Sequence, residues 1–189
     1  MSDFTTARLN MVESQVRTND VTDLNIQDAM RIVARETLAP PAKAHAAYAD
    51  VEVEYAPGRW LLKPRDVAKL LQAIKPQPFE RALAIAAPYA AAVLEQIGCE
   101  VIQLVDGDIK SVTGGPYDII VCEGGVAEAP LAWRQALAQG GRLGVVERDG
   151  AAGRAVLYMR THDGIGRRSV FDSMAPVLAG FEREAGFAF

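Results

Sequence analysis

Acidic residues follow two apolar stretches that have the composition of buried strands. Asp106 and Asp108 come after the stretch 101–105, and Glu123 comes after the stretch 117–122. Because open α/β sheets bind ligands beyond the carboxyl ends of their strands, carboxylates at these points could contact a bound ligand. The alternative for the two aspartates is a solvated turn. Glu123 could line a pocket or belong to a turn.

Nucleophilic and metal-binding side chains are few and scattered along the sequence. The two cysteines, Cys99 and Cys122, cannot form a disulfide framework or a four-ligand zinc site. We expect Cys122 to be a small apolar core residue, since it lies inside an apolar strand. His45 and His162 lack metal-ligand spacing to another histidine or cysteine. The sequence therefore predicts no metal site, and no catalytic residue is assigned.

Short apolar strands alternate with amphipathic helices from residue 80 onward, which is typical of a parallel α/β sheet. We expect strands at 82–86, 101–105, 117–122 and 143–146, a helix at 88–97, and a helix that begins at Pro130, includes Leu137 and ends at Gly140-Gly141. Only twelve residues, 106–117, connect the second strand to the third, without helical periodicity. A parallel connection normally needs a dozen or more residues, usually with a helix. This connection is either a minimal crossover or the place of a missing β-α unit.

The two ends of the chain follow other patterns. In the first third we expect helices, with Asn25 as the N-cap of a helix that ends at Pro40-Pro41, and then a strand at 51–55. Strands at 154–160, 169–171 and 187–189 predict an antiparallel C-terminal edge. We expect an N-terminal helical region, 1–78, packed on a core, 79–189, the two together forming one compact domain.

Composition and charge exclude several classes of protein. Hydrophobic residues make up 50% of the chain and charged residues 23%, which is ordinary for a globular protein. A net charge of -4 argues against nucleic-acid binding. Apolar runs are too short to span a membrane, and the start of the chain lacks the positive charge of a signal peptide. We therefore expect a cytoplasmic protein.

Several stretches resemble the protein-L-isoaspartate O-methyltransferase family, in the family's order. They are Met11-Val12-Glu13-Ser14-Gln15-Val16-Arg17 with Asp20-Val21-Thr22-Asp23, Arg31–Glu36, Ala47-Tyr48-Ala49-Asp50, Gly115-Pro116-Tyr117-Asp118-Ile119-Ile120-Val121, and Gln139-Gly140-Gly141-Arg142-Leu143. The resemblance implies a Rossmann-like methyltransferase fold. Here that fold would have a mostly parallel sheet lacking one β-α unit, an N-terminal helical extension and an antiparallel C-terminal edge. The resemblance also implies S-adenosyl-L-methionine as methyl donor and an isoaspartyl-type peptide as acceptor.

The resemblance implies which residues stand at the family's cofactor positions. The family's first core strand ends in an acid and a glycine-rich turn, followed by Gly-Tyr. In this sequence Ala84 takes the place of the acid, Ala86 that of the first glycine, and Tyr89 that of the tyrosine, in a shorter turn. Pro88 removes an amide donor. Tyr89 also has the helical spacing of a core residue, so packing is its alternative role.

Two further family positions differ in this sequence. There is room for only one strand at 100–108, where the family has its second and third. If this strand is the second, the ribose acid falls on Val105, with Asp106 beside it; if it is the third, Asp108 could contact adenine. The family also has a hydroxyl residue before a proline, and Leu62 takes its place. Lys63 or Arg65 could still attract an anion.

These observations leave two hypotheses. The favoured one is a non-catalytic relative that serves as a binding or interaction module, without a cofactor. The alternative is an active methyltransferase that uses S-adenosyl-L-methionine through an altered loop. The candidate cofactor-binding residues are Ala84, Ala86, Tyr89, Asp106, Asp108 and Glu123. As partner we expect an unidentified protein or an isoaspartyl-type peptide, with no nucleic acid and no membrane, and a homodimer stays open.

Overall fold

Helices and a small hairpin precede the central sheet in the computed structural model, which describes residues 4–183. The predicted strand at 187–189 lies outside these residues. In chain order the first elements are α1 (Phe4–Met11), α2 (Leu24–Ile32), β1 (Val53–Ala56), β2 (Arg59–Leu61) and α3 (Pro64–Ile74). Short 3-10 and π-helical turns join α1 to α2 and α2 to β1. The N-terminal part is therefore largely helical, as the sequence predicts.

Within residues 4–183, six strands form one sheet. The elements are β3 (Arg81–Ile85), α4 (Pro88–Ile97), β4 (Glu100–Leu104), β5 (Tyr117–Val126), α5 (Leu131–Gln135), β6 (Leu137–Asp149), β7 (Ala152–Thr161) and β8 (Gly164–Asp172). The strand order is β4-β3-β5-β6-β7-β8. Strands β4, β3, β5 and β6 run parallel to one another. Strand β7 pairs antiparallel with both β6 and β8. The predicted mostly parallel sheet with an antiparallel C-terminal edge is confirmed.

Strand β4 lies beside β3 and ends the sheet on that side. The chain returns from this edge to β5, on the other side of β3, through residues 105–116, which form neither helix nor strand. The strand at 100–104 is therefore the second of the sheet by position, and the unit that would follow it is missing. In that arrangement Val105 stands at the position where the family has the acid that holds the ribose, and its side chain is partly exposed.

Each strand of the parallel part contributes side chains to two apolar layers. One layer lies against α2, α3 and α4 and includes Ala82, Ala84, Ile119, Val121 and Val146. The opposite layer includes Leu83, Ile85, Ile120, Cys122, Leu143 and Val145, packed with Trp133 and Phe181. Because successive side chains of a strand point to opposite faces, burial on both faces requires an uninterrupted apolar run. This is why the core strands lack an alternating pattern.

Two predicted helix boundaries are wrong. Helix α2 is capped by Asp23, whose carboxylate accepts hydrogen bonds from the amides of Asn25 and Ile26 at 3.0 and 3.3 Å, so Asn25 is not the cap. The helix ends at Ile32, ahead of Pro40-Pro41, because Val33 has an extended backbone conformation. Both boundaries were predicted from the types of single residues near the helix ends, and several neighbouring residues have a suitable type.

The helix predicted from Pro130 to Gly140 is also wrong in its extent. Helix α5 ends at Gln135, and Leu137 begins β6, so Gly140 and Gly141 lie inside a strand. A Cβ atom on Gly141 would lie 2.8 Å from the Tyr117 carbonyl oxygen, on the neighbouring strand β5. The glycine pair therefore permits a close approach of two strands, whereas the sequence pattern favoured a helix terminus.

No helix in the described part of the chain is long and apolar enough to cross a membrane. The division of the chain at residue 78 stays a prediction.

An ion pair links β6 to the segment before β3. The Arg142 guanidinium donates to both oxygens of Glu80, at 2.7 and 2.9 Å, and also to the carbonyls of Ile74 and Lys75. Burial would raise the pKa of Glu80, but hydrogen bonds from Arg142 and the Gln77 amide lower it below its ordinary value. The ionised carboxylate therefore stabilises the fold above the pKa of the unfolded state, and this contribution is lost as pH falls through the folded-state pKa.

We predict that Glu80→Gln lowers the free energy of unfolding by about 1–2 kcal/mol at pH 7. The difference from the wild type should narrow as pH falls through the lowered folded-state pKa of Glu80, because the wild-type carboxylate is then protonated as well. Urea denaturation at several pH values measures both effects. Glu100→Gln, at an exposed position, is the control. A difference that persists unchanged at low pH would contradict the ion-pair explanation.

Candidate functional site

Glu123 lies buried at the carboxyl end of β5, where the sheet meets α4 and the residues before α3. One carboxylate oxygen accepts a hydrogen bond from the Ala90 amide at 2.7 Å, and the other accepts one from the Leu62 amide at 3.1 Å. Amides in the first turn of a helix lack carbonyl partners within that helix and attract anions. The carboxylate of Glu123 therefore occupies the amino end of α4.

Arg35 supplies a buried positive charge close to Glu123. Its Nε donates to the Ala47 carbonyl at 2.7 Å, and its guanidinium carbon lies 4.5 Å from the centre of the Tyr89 ring. Burial lowers the pKa of Arg35, while the charge of Glu123 acts in the opposite direction. Burial likewise raises the pKa of Glu123, opposed by Arg35 and by the amides that it accepts. The two buried charges therefore stabilise each other's ionised forms.

Tyr89 and Ala86 lie directly beyond the end of β3. Tyr89 is fully buried beneath Arg35, and neither its hydroxyl nor Nη1 of Arg35 has a hydrogen-bond partner among the described residues. Ala86 is buried and has a left-handed backbone with φ of 46°. A glycine adopts this conformation more readily than an alanine. The turn therefore keeps the backbone shape that suits a glycine, and protein atoms surround it.

The β1–β2 hairpin lies near the same end of the sheet. Tyr55 of β1 has a buried hydroxyl without a hydrogen-bond partner among the described residues. Burial, followed by the negative charge of Glu123, raises the pKa of Tyr55 to about 12, while Arg59 lowers it. Tyr55 therefore stays protonated at neutral pH and can act there only as a neutral donor or acceptor.

A C-terminal segment encloses the end of β5. The Gly125 amide donates to the Pro176 carbonyl at 2.7 Å, and the Leu178 amide donates to the Gly125 carbonyl at 2.8 Å. Gly124 has φ of 151°, and a Cβ atom there would lie 2.5 Å from the Leu178 side chain. The two glycines after Glu123 thus permit close packing of this segment against the strand.

The structure brings only part of the predicted site residues together. Ala86, Tyr89 and Glu123 meet at the carboxyl edge of the sheet, and Ala84 is buried within β3. Asp106 and Asp108 lie exposed in the connection 105–116. Asp108 accepts hydrogen bonds from the Ser111 hydroxyl and the Lys110 amide, which lower its pKa. Its carboxylate is thus engaged within a local turn.

The residues at the predicted acceptor position are also engaged within the chain. Leu62 is fully buried, Lys63 lies 3.7 Å from Glu52, and Arg65 lies 3.2 Å from Asp50. Both cations therefore already have carboxylate partners.

The sequence motifs did not identify Arg35 and Tyr55, which lie close enough to Glu123 to interact with its charge. Arg35 belongs to a stretch that carries the family resemblance, but no local pattern shows that an arginine is buried. Tyr55 lies on an alternating strand, and that alternation was the available signal for a side chain facing the interior.

Thiol and metal chemistry find no support among the described residues. No group of three histidine, cysteine, aspartate or glutamate residues in the described part of the chain could hold a metal ion. Burial raises the pKa of Cys99 to about 11 and also raises that of Cys122. Both thiols are thus protonated at neutral pH, which makes them poor nucleophiles.

Comparison with solved structures identifies the class of fold as that of the Rossmann-like methyltransferases. One neighbour, a protein-L-isoaspartate O-methyltransferase, superposes with a TM-score of 0.73 at 18% identity, covering 92% of this chain and 66% of the neighbour. Another, from Plasmodium falciparum and in complex with S-adenosyl-L-homocysteine, has a TM-score of 0.74 at 18% identity and covers 90% of this chain and 97% of its own. At this identity the two structures establish the fold.

The chain belongs to the protein-L-isoaspartate O-methyltransferase family. A relative of that name from Methylorubrum populi is 30% identical over 164 residues, which cover 72% of this chain and 77% of the relative. A second, from Rhodopseudomonas palustris, is 32% identical over 187 residues and covers 84% and 76% of the two chains. No family model matches the sequence. The family predicted from the sequence motifs is therefore confirmed.

We predict that Glu123→Gln destabilises the fold by about 1–3 kcal/mol, because an amide group cannot accept hydrogen bonds at both ends and leaves Arg35 without its countercharge. Urea denaturation monitored by circular dichroism measures the loss. Glu95→Gln, at an exposed position of α4, is the matched control and should change stability by less than about 0.5 kcal/mol. Equal stability of the two variants would show that Glu123 does not hold α4 and Leu62 in place.

Proposed function

We propose that this member of the protein-L-isoaspartate O-methyltransferase family is a non-catalytic binding or interaction module. The observation that carries the proposal is the engagement of both Glu123 oxygens by the amides of Ala90 and Leu62. Free amides at the first turn of a helix are the usual anchor for the anionic group of a ligand. In this chain an internal carboxylate uses that anchor.

A polar cofactor at this edge would have to displace Glu123. The displaced carboxylate would remain buried without its two amide donors, and leaving a buried charged group unsatisfied costs upward of about 1–3 kcal/mol. At about 1.4 kcal/mol per factor of ten, this alone weakens cofactor binding by one to two orders of magnitude.

The residues at the family's cofactor positions support the same proposal. Ala84 has no carboxylate for the cofactor, the Ala86 side chain takes up space beside the turn, and Pro88 has no amide to donate. Tyr89 fills the volume between this turn and Arg35. These residues do not fit S-adenosyl-L-methionine, so we derive no step of methyl transfer through it.

The alternative function is an active, S-adenosyl-L-methionine-dependent carboxyl methyltransferase that acts on an isoaspartyl-type peptide. The similarity to the Plasmodium falciparum structure, which holds S-adenosyl-L-homocysteine, favours it. Transfer of a labelled methyl group to an isoaspartyl peptide would demonstrate this activity directly. For the non-catalytic module we propose a cytoplasmic location and a protein partner, which could be a second copy of the chain.

We predict that millimolar S-adenosyl-L-homocysteine does not raise the melting temperature of this protein. A ligand at a hundred times its Kd stabilises the native state by about 2.7 kcal/mol, which a thermal shift would register. The Plasmodium falciparum protein, whose structure holds S-adenosyl-L-homocysteine, is measured in parallel as the positive control. A saturable rise for this chain would favour the methyltransferase alternative.

We also predict that Ala86→Gly does not create a site for S-adenosyl-L-methionine. The substitution relieves the left-handed alanine, but Glu123 still holds the α4 amides and Ala84 still lacks a carboxylate. Isothermal titration calorimetry of the variant should give no heat beyond dilution. Binding restored by this single change would mean that the side chain of Ala86, and not Glu123, excludes the cofactor.

A further inference from the structure

A cavity opens at the carboxyl end of β6. It lies apart from Glu123 and its neighbours Arg35, Tyr55 and Tyr89, here called the Glu123 cluster. Its volume is about 470 Å³, within the size range of small-molecule sites. Its walls come from the end of β6, the start of β7, Arg134 of α5 and neighbouring residues. None of its lining residues belongs to the Glu123 cluster. The proposed function leaves this cavity unused.

The cavity is positively charged in a chain whose net charge is -4. Five arginines line it, namely Arg134, Arg148, Arg154, Arg167 and Arg183, against three acids, Glu128, Glu147 and Asp149. Positive charge lining a concave surface with low-dielectric walls raises the local concentration of anions. The lining therefore favours a negatively charged ligand.

Each of the three acids already has an arginine partner. Glu128 lies 3.1 Å from Arg134, and Asp149 lies 2.7 Å from Arg183. Glu147 lies 2.6 Å from Arg167. These pairs use three of the five positive charges, and Arg154 has a carboxylate partner outside the lining, Asp172, which leaves Arg148.

Glu147 is held in its ionised form. Burial would raise its pKa, but hydrogen bonds from the Tyr158 hydroxyl, the Ala129 amide and Arg167 lower it. The positive charge of Arg167 offsets the negative charge of Glu147 within the cavity.

Arg148 is the arginine best placed to bind an anion. Its Nε donates to the Gly150 carbonyl at 3.1 Å, and Nη1 donates to the carbonyls of Met174 and Ala175 at 3.0 and 3.2 Å. Among the described residues no carboxylate pairs with it, whereas Arg154 pairs with Asp172 at 3.3 Å. Three carbonyls thus orient a guanidinium whose charge has no carboxylate partner, and a preorganised donor loses little entropy on binding.

Arg134 also lines the cavity and provides a second donor. Its guanidinium carbon lies 5.5 Å from the centre of the Tyr158 ring, and its Nε is buried without a hydrogen-bond partner among the described residues. Because Nε is shielded from solvent and Nη2 donates to Glu128, Nη1 is the nitrogen of Arg134 that can donate to a ligand.

We propose that this cavity binds a small organic oxyanion, a dicarboxylate or a phosphate ester, with Arg148 as its main contact and Arg134 as a second donor. Carboxylate and phosphate oxygens both accept charge-assisted hydrogen bonds from a guanidinium, and Nη2 of Arg148 has no acceptor among the described residues. The site is independent of the proposed function, because a methyltransferase and a non-catalytic module would contain it equally.

The test uses the full chain and two probes, succinate and inorganic phosphate, titrated at constant ionic strength against chloride. We expect a saturable rise in melting temperature and a calorimetric Kd for at least one probe, with the tighter probe indicating the class of ligand. Arg148→Gln should weaken binding at least tenfold. Arg168→Gln removes an exposed arginine of β8 that does not line this cavity, and it should bind as the wild type does.

A second variant guards against a fold that depends on Arg148. Ala152 is exposed and lines the cavity, so Ala152→Glu adds a competing carboxylate without removing any contact of Arg148. We expect this variant to keep its urea midpoint and to lose binding of both probes. Unchanged binding in Ala152→Glu, or no saturable binding of either probe to the wild type, would overturn the proposal.

Discussion

The two hydrogen bonds that the Glu123 carboxylate accepts are the interaction on which the carboxyl edge of the sheet depends. Through its two oxygens the carboxylate joins the end of β5, the start of α4 and the residues that lead into α3. Without an acceptor at this point, the Ala90 and Leu62 amides would be buried and unsatisfied, which the interior of a protein rarely tolerates. Glu123 therefore fixes the residues before α3 to the sheet at this point, alongside the apolar layer that packs α2, α3 and α4 on it.

In the proposed function, the same carboxylate limits what the edge of the sheet can bind. A buried charge needs a countercharge and hydrogen bonds, and Glu123 obtains them from Arg35 and from the two amides. The Tyr89 ring packs against the Arg35 guanidinium and is fully buried there. The amides of Ala90 and Leu62, which could hold a ligand, are engaged by an internal carboxylate in this structure.

Part of this arrangement could be predicted from the sequence, because part of it is local. The apolar runs and Pro88 and Gly98 predict β3 and place α4 at 88–97, as observed. The partners of Glu123 could not be predicted, since its hydrogen bonds connect residues 33 and 61 positions apart. Short-range patterns also predicted the wrong helix cap, because Asp23 and Asn25 are both good cap residues and only the folded backbone selects between them.

The short connection after β4 shows how a sheet of this kind can lose a β-α unit and keep its core. Ile109 is buried in the layer that faces Trp133, and its carbonyl accepts a hydrogen bond from the indole nitrogen of Trp133 at 2.8 Å. The connection thus covers part of the face that a helix would otherwise cover. Because the β-α unit is missing, β4 is an edge strand, and its Ile102 is 40% exposed. Natural sheets usually keep such edges short or charged. Here β4 has five residues and begins with Glu100, so the exposed edge is short and carries a charge at its first residue.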